Sequence, residues 1–335
     1  MLKSLNKAVM QTAFNAECTN PASVPTNFFI AFIYFCNIFT AWQAKGRLKS
    51  FQTASDTENT NIRNNMPAAD TRTPVEVAAG ILTNTRGEYL LSSRPEGKPY
   101  ASYWEFAGGK TEAGETPFAA LQREFAEELG ITITRALPWL VKTHSYEHAR
   151  VRLRFFRIPA DGWTGSIQAR EGQSWAWQKP GAFTVSPMLP ANGPLLKALS
   201  VPTALTGRLK NGFHGANGAG AYRAVPLSRA TPDDQNLLLT QAEYRARRYN
   251  LPPAASLWLA VENAQEAEQA QETADVIVWR VTDGQTAQNV SAVLQNGVSV
   301  PLVISATPAL AEQYAAAWTE AGAQAVAGGE SDTGH

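Results

Sequence analysis

Residues 109–131, GKTEAGETPFAALQREFAEELGI, decide how this 335-residue chain is read. They describe a loop running into a helix. Thr116 suits an N-cap, Pro117 the first helical position and Gly130 the C-terminal stop. Phe118, Leu121, Phe125 and Leu129 fall on one apolar stripe at helical spacing, which predicts the buried face. Glu124, Glu127 and Glu128 stand at i, i+3 and i+4, so their carboxylates share a neighbouring face. Three close like charges repel one another and weaken a helix unless something neutralises them. A hard divalent cation such as magnesium does so, because it takes carboxylate oxygens and keeps positions open for water and phosphate oxygen. For the three glutamates alone, a solvated acidic face is the competing reading.

The complete string is more specific than its glutamates. It matches the Nudix box at each specified position: Gly109, five residues, Glu115, seven residues, Arg123-Glu124, the apolar Phe125, one residue, Glu127-Glu128, one residue, Gly130 and the apolar Ile131. Fixed spacing over such a length carries far more weight than a lone glycine-rich loop. The chain thus resembles the Nudix family, which hydrolyses nucleoside diphosphates linked to another group and uses Mg2+ or Mn2+. The resemblance implies an α/β/α sandwich around a mixed sheet.

Working outward, Val75–Leu82 and Tyr89–Ser93 read as strands joined by a turn around Asn84-Thr85-Arg86-Gly87. Trp104-Glu105-Phe106 is a short strand entering the box. Arg150–Ile158 alternates, with Val151, Leu153 and Phe155 on one side and Arg152, Arg154 and Phe156 on the other. Its arginines fit a solvated sheet face, or else a phosphate-facing one. Trp175-Ala176-Trp177 is a further strand, and residues 194–199 a closing helix.

Residues 71–199, the expected Nudix domain, are similar to the MutT branch, which hydrolyses oxidised purine nucleoside triphosphates such as 8-oxo-dGTP. By that resemblance Arg94 addresses the nucleotide and Asn192 reads the purine, a side-chain amide offering both donor and acceptor. Glu171 matches an acidic residue outside the box that approaches the metal, and Gly108 a glycine whose carbonyl turns towards it. Singly, each has a plainer reading: Arg94 a surface charge, Asn192 a helix cap, Glu171 a loop charge, Gly108 a turn. The metal set is then Gly108, Glu124, Glu127, Glu128 and Glu171. Glu124, Glu127 and Glu171 are also candidates for taking a proton from the attacking water. Arg123 is expected to orient Glu124 or pair with Glu115. Two features depart from the branch: Phe106-Ala107-Gly108-Gly109 has alanine where proline is usual, and the lid-like segment 95–103 is the chain's own.

Residues 200–329 change character. After a glycine-rich stretch at 211–220, strands are expected at 224–227, 257–261, 276–281, 301–305 and 325–327. Helices are expected at 233–249, 264–273, 287–295 and 309–321. Such alternation predicts a parallel sheet with crossover helices. The last sections resemble thiamine-phosphate synthase, a TIM-type barrel, but these 130 residues are fewer than the roughly 200 a complete barrel takes. This second βα-repeat domain is expected to be partial and degenerate. Ser305-Ala306-Thr307 replaces the family's Gly-Gly phosphate loop, leaving Gly328-Gly329 as a phosphate contact.

A formal net charge of zero argues against a general polyanion-binding surface, so no direct nucleic-acid binding is expected. The two cysteines, Cys18 and Cys36, lie in the first forty residues, and a reducing cytoplasm fits. Residues 1–70 are expected to be a non-core extension, disordered or not normally translated, with Met66 as a start. The apolar run from Phe28 to Trp42 is shorter than the roughly twenty residues a membrane span takes, and its basic residues are misplaced for a secretory signal. Residues 330–335 read as a tail. The first expectation for function is magnesium-dependent hydrolysis of oxidised guanine nucleotides. The alternatives are ADP-ribose or a dinucleoside polyphosphate as substrate, or a thiamine-pathway binding module in the C-terminal half.

Overall fold

The computed structural model describes residues 71–145, 149–190 and 192–329. The expected extension at 1–70, with Cys18, Cys36 and Met66, and the tail at 330–335 lie outside the described residues. The first half runs β1 (Val75–Leu82), β2 (Tyr89–Ser93), β3 (Trp104–Glu105), β4 (Gly108–Lys110), α1 (Pro117–Leu129), β5 (Thr132–Ile133), β6 (Leu137–Ser145), β7 (Arg150–Ile158), β8 (Trp163–Thr164), β9 (Trp175–Gln178) and α2 (Gly193–Leu199).

Strand β1 explains why its sequence, VEVAAGIL, is almost wholly apolar: both faces are covered. Ala78 and Leu82 join Leu121, Phe125 and Leu129 of α1 in one core. Ala79 and Ile81 face a second core containing Trp139, Leu140 and Trp279. Gly80 lets α1 come close, since a Cβ there would lie 2.7 Å from the Phe125 ring. A four-stranded sheet is ordered β4-β1-β7-β6. It is mixed, because β1 and β7 run parallel while β4 pairs antiparallel with β1 and β6 with β7. Strands β3, β2 and β9 make a separate antiparallel sheet. The alternation in β7 places Arg152 and Arg154 beside Glu76 of β1, at 3.0 and 3.2 Å. These arginines form a cross-strand ion cluster.

The second half runs β10 (Leu205–Arg208), β11 (Gly212–Asn217), β12 (Gly220–Pro226), β13 (Asn236–Leu239), α3 (Gln241–Arg247), β14 (Ser256–Val261), α4 (Ala264–Ala270), β15 (Val276–Val281), α5 (Gly284–Asn296), β16 (Leu302–Ala306), α6 (Pro308–Glu320) and β17 (Ala325–Gly328). These strands form one sheet of eight in chain order. The sheet curls until its edge strands β10 and β17 lie side by side, so it is nearly closed. Strands β10 to β12 are antiparallel and β12 to β17 parallel.

The glycine-rich stretch at 211–220 contains β11 and the turn into β12. One expectation needs correction here. The helix expected over 233–249 begins only at Gln241, because Asn236–Leu239 is a buried parallel strand. A short apolar run is ambiguous between helix and strand. The true helix start is marked by a capping box in which Thr240 accepts from Glu243 N and the Glu243 side chain bonds back to Thr240.

Strand β6 joins the halves. It would be an exposed sheet edge, but Val141 N donates to Val298 O at 2.8 Å and Trp139 Nε1 donates to Gln324 Oε1 at 3.0 Å. Lys197 pairs with Asp275 at 2.7 Å and Arg135 with Glu320. Among the described residues, no helix is long and apolar enough to cross a membrane.

Candidate active site

Helix α1 forms as its sequence demands. Thr116 caps it by accepting from Ala119 N, Pro117 opens it, and Gly130 closes it at φ 69°. Burying Leu121, Phe125 and Leu129 against β1 turns the glutamate face away from the core. Phe118 of the expected stripe is only partly buried.

Arg123 organises that face. Its Nε and Nη2 donate to both oxygens of Glu115 at 3.1 and 3.0 Å, and Nη2 also reaches the Lys110 carbonyl at 2.9 Å. Its Nη1 donates to Glu124 at 2.8 Å and lies 3.6 Å from Glu127. The guanidinium holds the Glu115 carboxyl below its usual range. Both expected partners of Arg123 are therefore engaged at once. Glu124 lies directly over Gly109, where a Cβ would come within 2.0 Å of its carboxylate. Gly108 has φ 146° and packs against β1, with Ala78 O 2.2 Å from where a Cβ would be. Glycine is required at both positions by close approach, and at Gly108 by conformation as well.

Glu128 occupies the most perturbed position. Burial, followed by repulsion from Glu171, Glu124 and Glu105, pushes its carboxyl up to about 8. It lines a narrow cleft with Lys98, Glu105, Gly108, Glu171 and Gln173. The loop carrying Glu171 is fastened to the end of α1: Gln168 N and Arg170 N donate to the Leu129 and Glu128 carbonyls, and Gln173 Nε2 donates to Glu128 O at 2.8 Å. Glu171 itself pairs with Lys98 at 2.6 Å.

Arg94, at the end of β2, donates from Nη1 to both oxygens of Glu105 at 2.8 Å and from Nε to the Pro99 carbonyl. Burial still raises the Glu105 carboxyl in spite of this partner. Asn192 is buried at 6% exposure. It takes the N-cap place of α2 without a side-chain capping bond, so capping is not what its amide does. The segment before it pairs with β3, Trp104 N donating to Pro187 O and Leu189 N to Trp104 O. Arg94 and Asn192 thus sit on elements flanking β3, although Asn192 does not line the cleft of Glu128.

Sequence reading missed Glu105, Lys98 and Gln173. A carboxylate between Trp104 and Phe106 was the available signal, because burial in apolar surroundings is costly without a partner. As a metal site the donor chemistry fits: only oxygen ligands, and mutual repulsion that a hard cation relieves. Among the described residues no three acidic, histidine or cysteine side chains converge into a ready-made chelate. Glu124 is held by Arg123 and Glu171 by Lys98.

Glu128 makes a testable demand. Its ordinary value is 4.5, so between that pH and about 8 the unfolded chain loses the proton first and metal-free stability falls as pH rises. Glu128→Gln is expected to raise the melting temperature in chelator more at pH 8 than at pH 5. Equal shifts at both would show that the carboxyl is not held neutral.

The NUDIX domain family matches residues 73–199. The 8-oxo-dGTP diphosphatase of Haemophilus influenzae is 38% identical over 125 residues, covering 37% of this chain and 90% of that protein. The CTP pyrophosphohydrolase of Escherichia coli is 38% identical over 126 residues, covering 37% of this chain and 90% of that protein. A solved structure from work on MutT of Aliivibrio salmonicida and Vibrio cholerae is 30% identical, covering 38% of this chain and 98% of that one at a TM-score of 0.32. A complete box on a capped helix, with relatives matched over nearly their whole length, makes this chain a member of the Nudix family and a Nudix pyrophosphohydrolase.

Proposed function

We propose that the protein hydrolyses oxidised purine nucleoside triphosphates, converting 8-oxo-dGTP to 8-oxo-dGMP and pyrophosphate, and so clears them before polymerases use them. The reading rests chiefly on one observation: Arg94 is paired to Glu105 of the acidic cleft, and the buried Asn192, whose side chain makes no capping bond, follows the segment that pairs with the same strand β3. The relatives named 8-oxo-dGTP diphosphatase support it.

In this reading Glu124, Glu127, Glu128, Glu171 and the Gly108 carbonyl hold Mg2+, with Mn2+ able to replace it. The bound ion supplies neutralisation of phosphate charge and acidification of the attacking water. Arg123 keeps Glu124 and Glu127 oriented, and Glu124, Glu127 or Glu171 accepts the proton of the water. Arg94 has Nε and Nη1 engaged, and Nη2 is assigned to the nucleotide. Asn192 is assigned to the base edge. The setting is taken to be cytoplasmic.

A second reading, CTP as substrate, has support from the equally similar relative of that name. The test is a panel of kcat/KM values for 8-oxo-dGTP, dGTP, CTP and ADP-ribose with Mg2+. We expect 8-oxo-dGTP to lead, and Asn192→Ala to reduce its advantage over dGTP by about tenfold or more, in keeping with a site whose buried polar group is left unpaired. A CTP lead, or an unchanged ratio in the variant, would move the assignment to another substrate class.

Residues 200–329 are proposed to be a degenerate thiamine-phosphate-synthase-like domain that makes no thiamine phosphate. Ser305-Ala306-Thr307 stands at the end of β16 where that family has its glycine loop.

A further inference from the structure

A second cavity lies where the two halves meet, far in character from the acidic cleft. Its volume is about 380 Å³, within the size range of small-molecule sites. Leu199, Val201 and Pro202 give it apolar walls, with Tyr89, Arg157 and Gln324 among its polar ones. Among the described residues, Arg157 is the single charged one lining it.

Arg157 is held firmly and left unsatisfied. Its guanidinium stacks over the Trp139 ring at 4.4 Å, and Nη2 donates to Gln324 Oε1 at 2.5 Å. Gln324 is itself buried, at 2% exposure. Its Oε1 also accepts from Trp139 Nε1, and its Nε2 donates to Val201 O at 2.6 Å. The amide's acceptor capacity is therefore committed. Arg157 Nε is sealed from solvent and has no partner among the described residues. No Asp or Glu among them pairs with Arg157. The titratable group it feels is Tyr89, whose own hydroxyl is kept neutral by burial. Elsewhere along the same junction the chain does supply acids, Glu320 for Arg135 and Asp275 for Lys197. A buried cation without a counter-charge is costly, and burial pushes this guanidinium down to about 10. Arg157 nonetheless keeps part of its surface accessible and faces a cavity.

We propose that this cavity is a ligand site for a small organic monocarboxylate, its charge on Arg157 and its compact apolar body against Leu199, Val201 and Pro202. One cation calls for one negative charge. A phosphate monoester would bring about two, with no second cation lining the cavity among the described residues. A neutral molecule would leave the guanidinium uncompensated.

The experiment is calorimetric titration of the full chain, without added metal, with benzoate and hexanoate as probes and with benzamide and inorganic phosphate as comparators. Two variants separate binding from folding. Arg157→Met removes the unpaired charge and is expected to be at least as stable as the parent without ligand. Thr203→Phe fills the cavity from an exposed position on its wall. Saturable binding of either carboxylate, weakened at least about tenfold in both variants and absent for benzamide, is the expected result. If Arg157→Met does not fold, Thr203→Phe decides alone. The proposal is overturned if neither carboxylate binds, if the variants bind as well as the parent, or if phosphate is the probe whose binding depends on Arg157.

Discussion

Glu124→Gln is expected to lower nucleotide turnover by at least about a hundredfold, the scale of losing a charge that supports metal-centred catalysis. The amide keeps the shape of the side chain and can still accept from Arg123 Nη1, now at 2.8 Å from the carboxylate. Packing over Gly109 is likewise preserved, since that contact depends on shape. The loss should therefore fall on kcat while the melting temperature changes little. Arg123 would still be held by Glu115 through two nitrogens. The measurement is steady-state turnover at saturating Mg2+, with a thermal melt on the same preparation. Near parental turnover would remove Glu124 from the proposed chemistry.

Phe125→Ala is expected to cost about 3–5 kcal/mol of stability, the range for truncating a fully buried aromatic. Phe125 is completely buried and fills the space that Gly80 leaves between α1 and β1. Gly80 has no side chain with which to close the cavity, which places the cost towards the upper end of that range. Because the same helix carries Glu124, Glu127 and Glu128 on its other face, activity should fall with folding, and not ahead of it. Denaturant unfolding followed together with turnover checks this. A small shift in the midpoint, below about 1 kcal/mol, would show that α1 is not anchored through this ring.

What was legible in the sequence had a local cause. Thr116, Pro117 and Gly130 each act within one helical turn, so α1 was readable to the residue. The strands β1 and β7 were readable for the same reason, their patterns being long. Asn236–Leu239 was not, because its three apolar residues fit either period and only the parallel pairing with β14 decides for strand. The hairpin glycines of β11 and β12 look like a linker until the antiparallel partner is present.

The site follows the same division. Box residues were legible because their spacing is fixed by one helix. Lys98, Glu105 and Gln173 reach the cleft from three different segments, and nothing in the spacing along the chain announces that. The junction between the halves was silent for the same reason. The bonds of Trp139 and Arg157 to Gln324 span 185 and 167 residues.

The most direct test of the account is product analysis of 8-oxo-dGTP incubated with the purified full chain, with Mg2+ and again after chelation. The expected result is 8-oxo-dGMP and pyrophosphate in equal amounts with metal, and no turnover once it is removed. Hydrolysis that survives chelation, or the absence of any hydrolysis with Mg2+ or Mn2+ present, would contradict it.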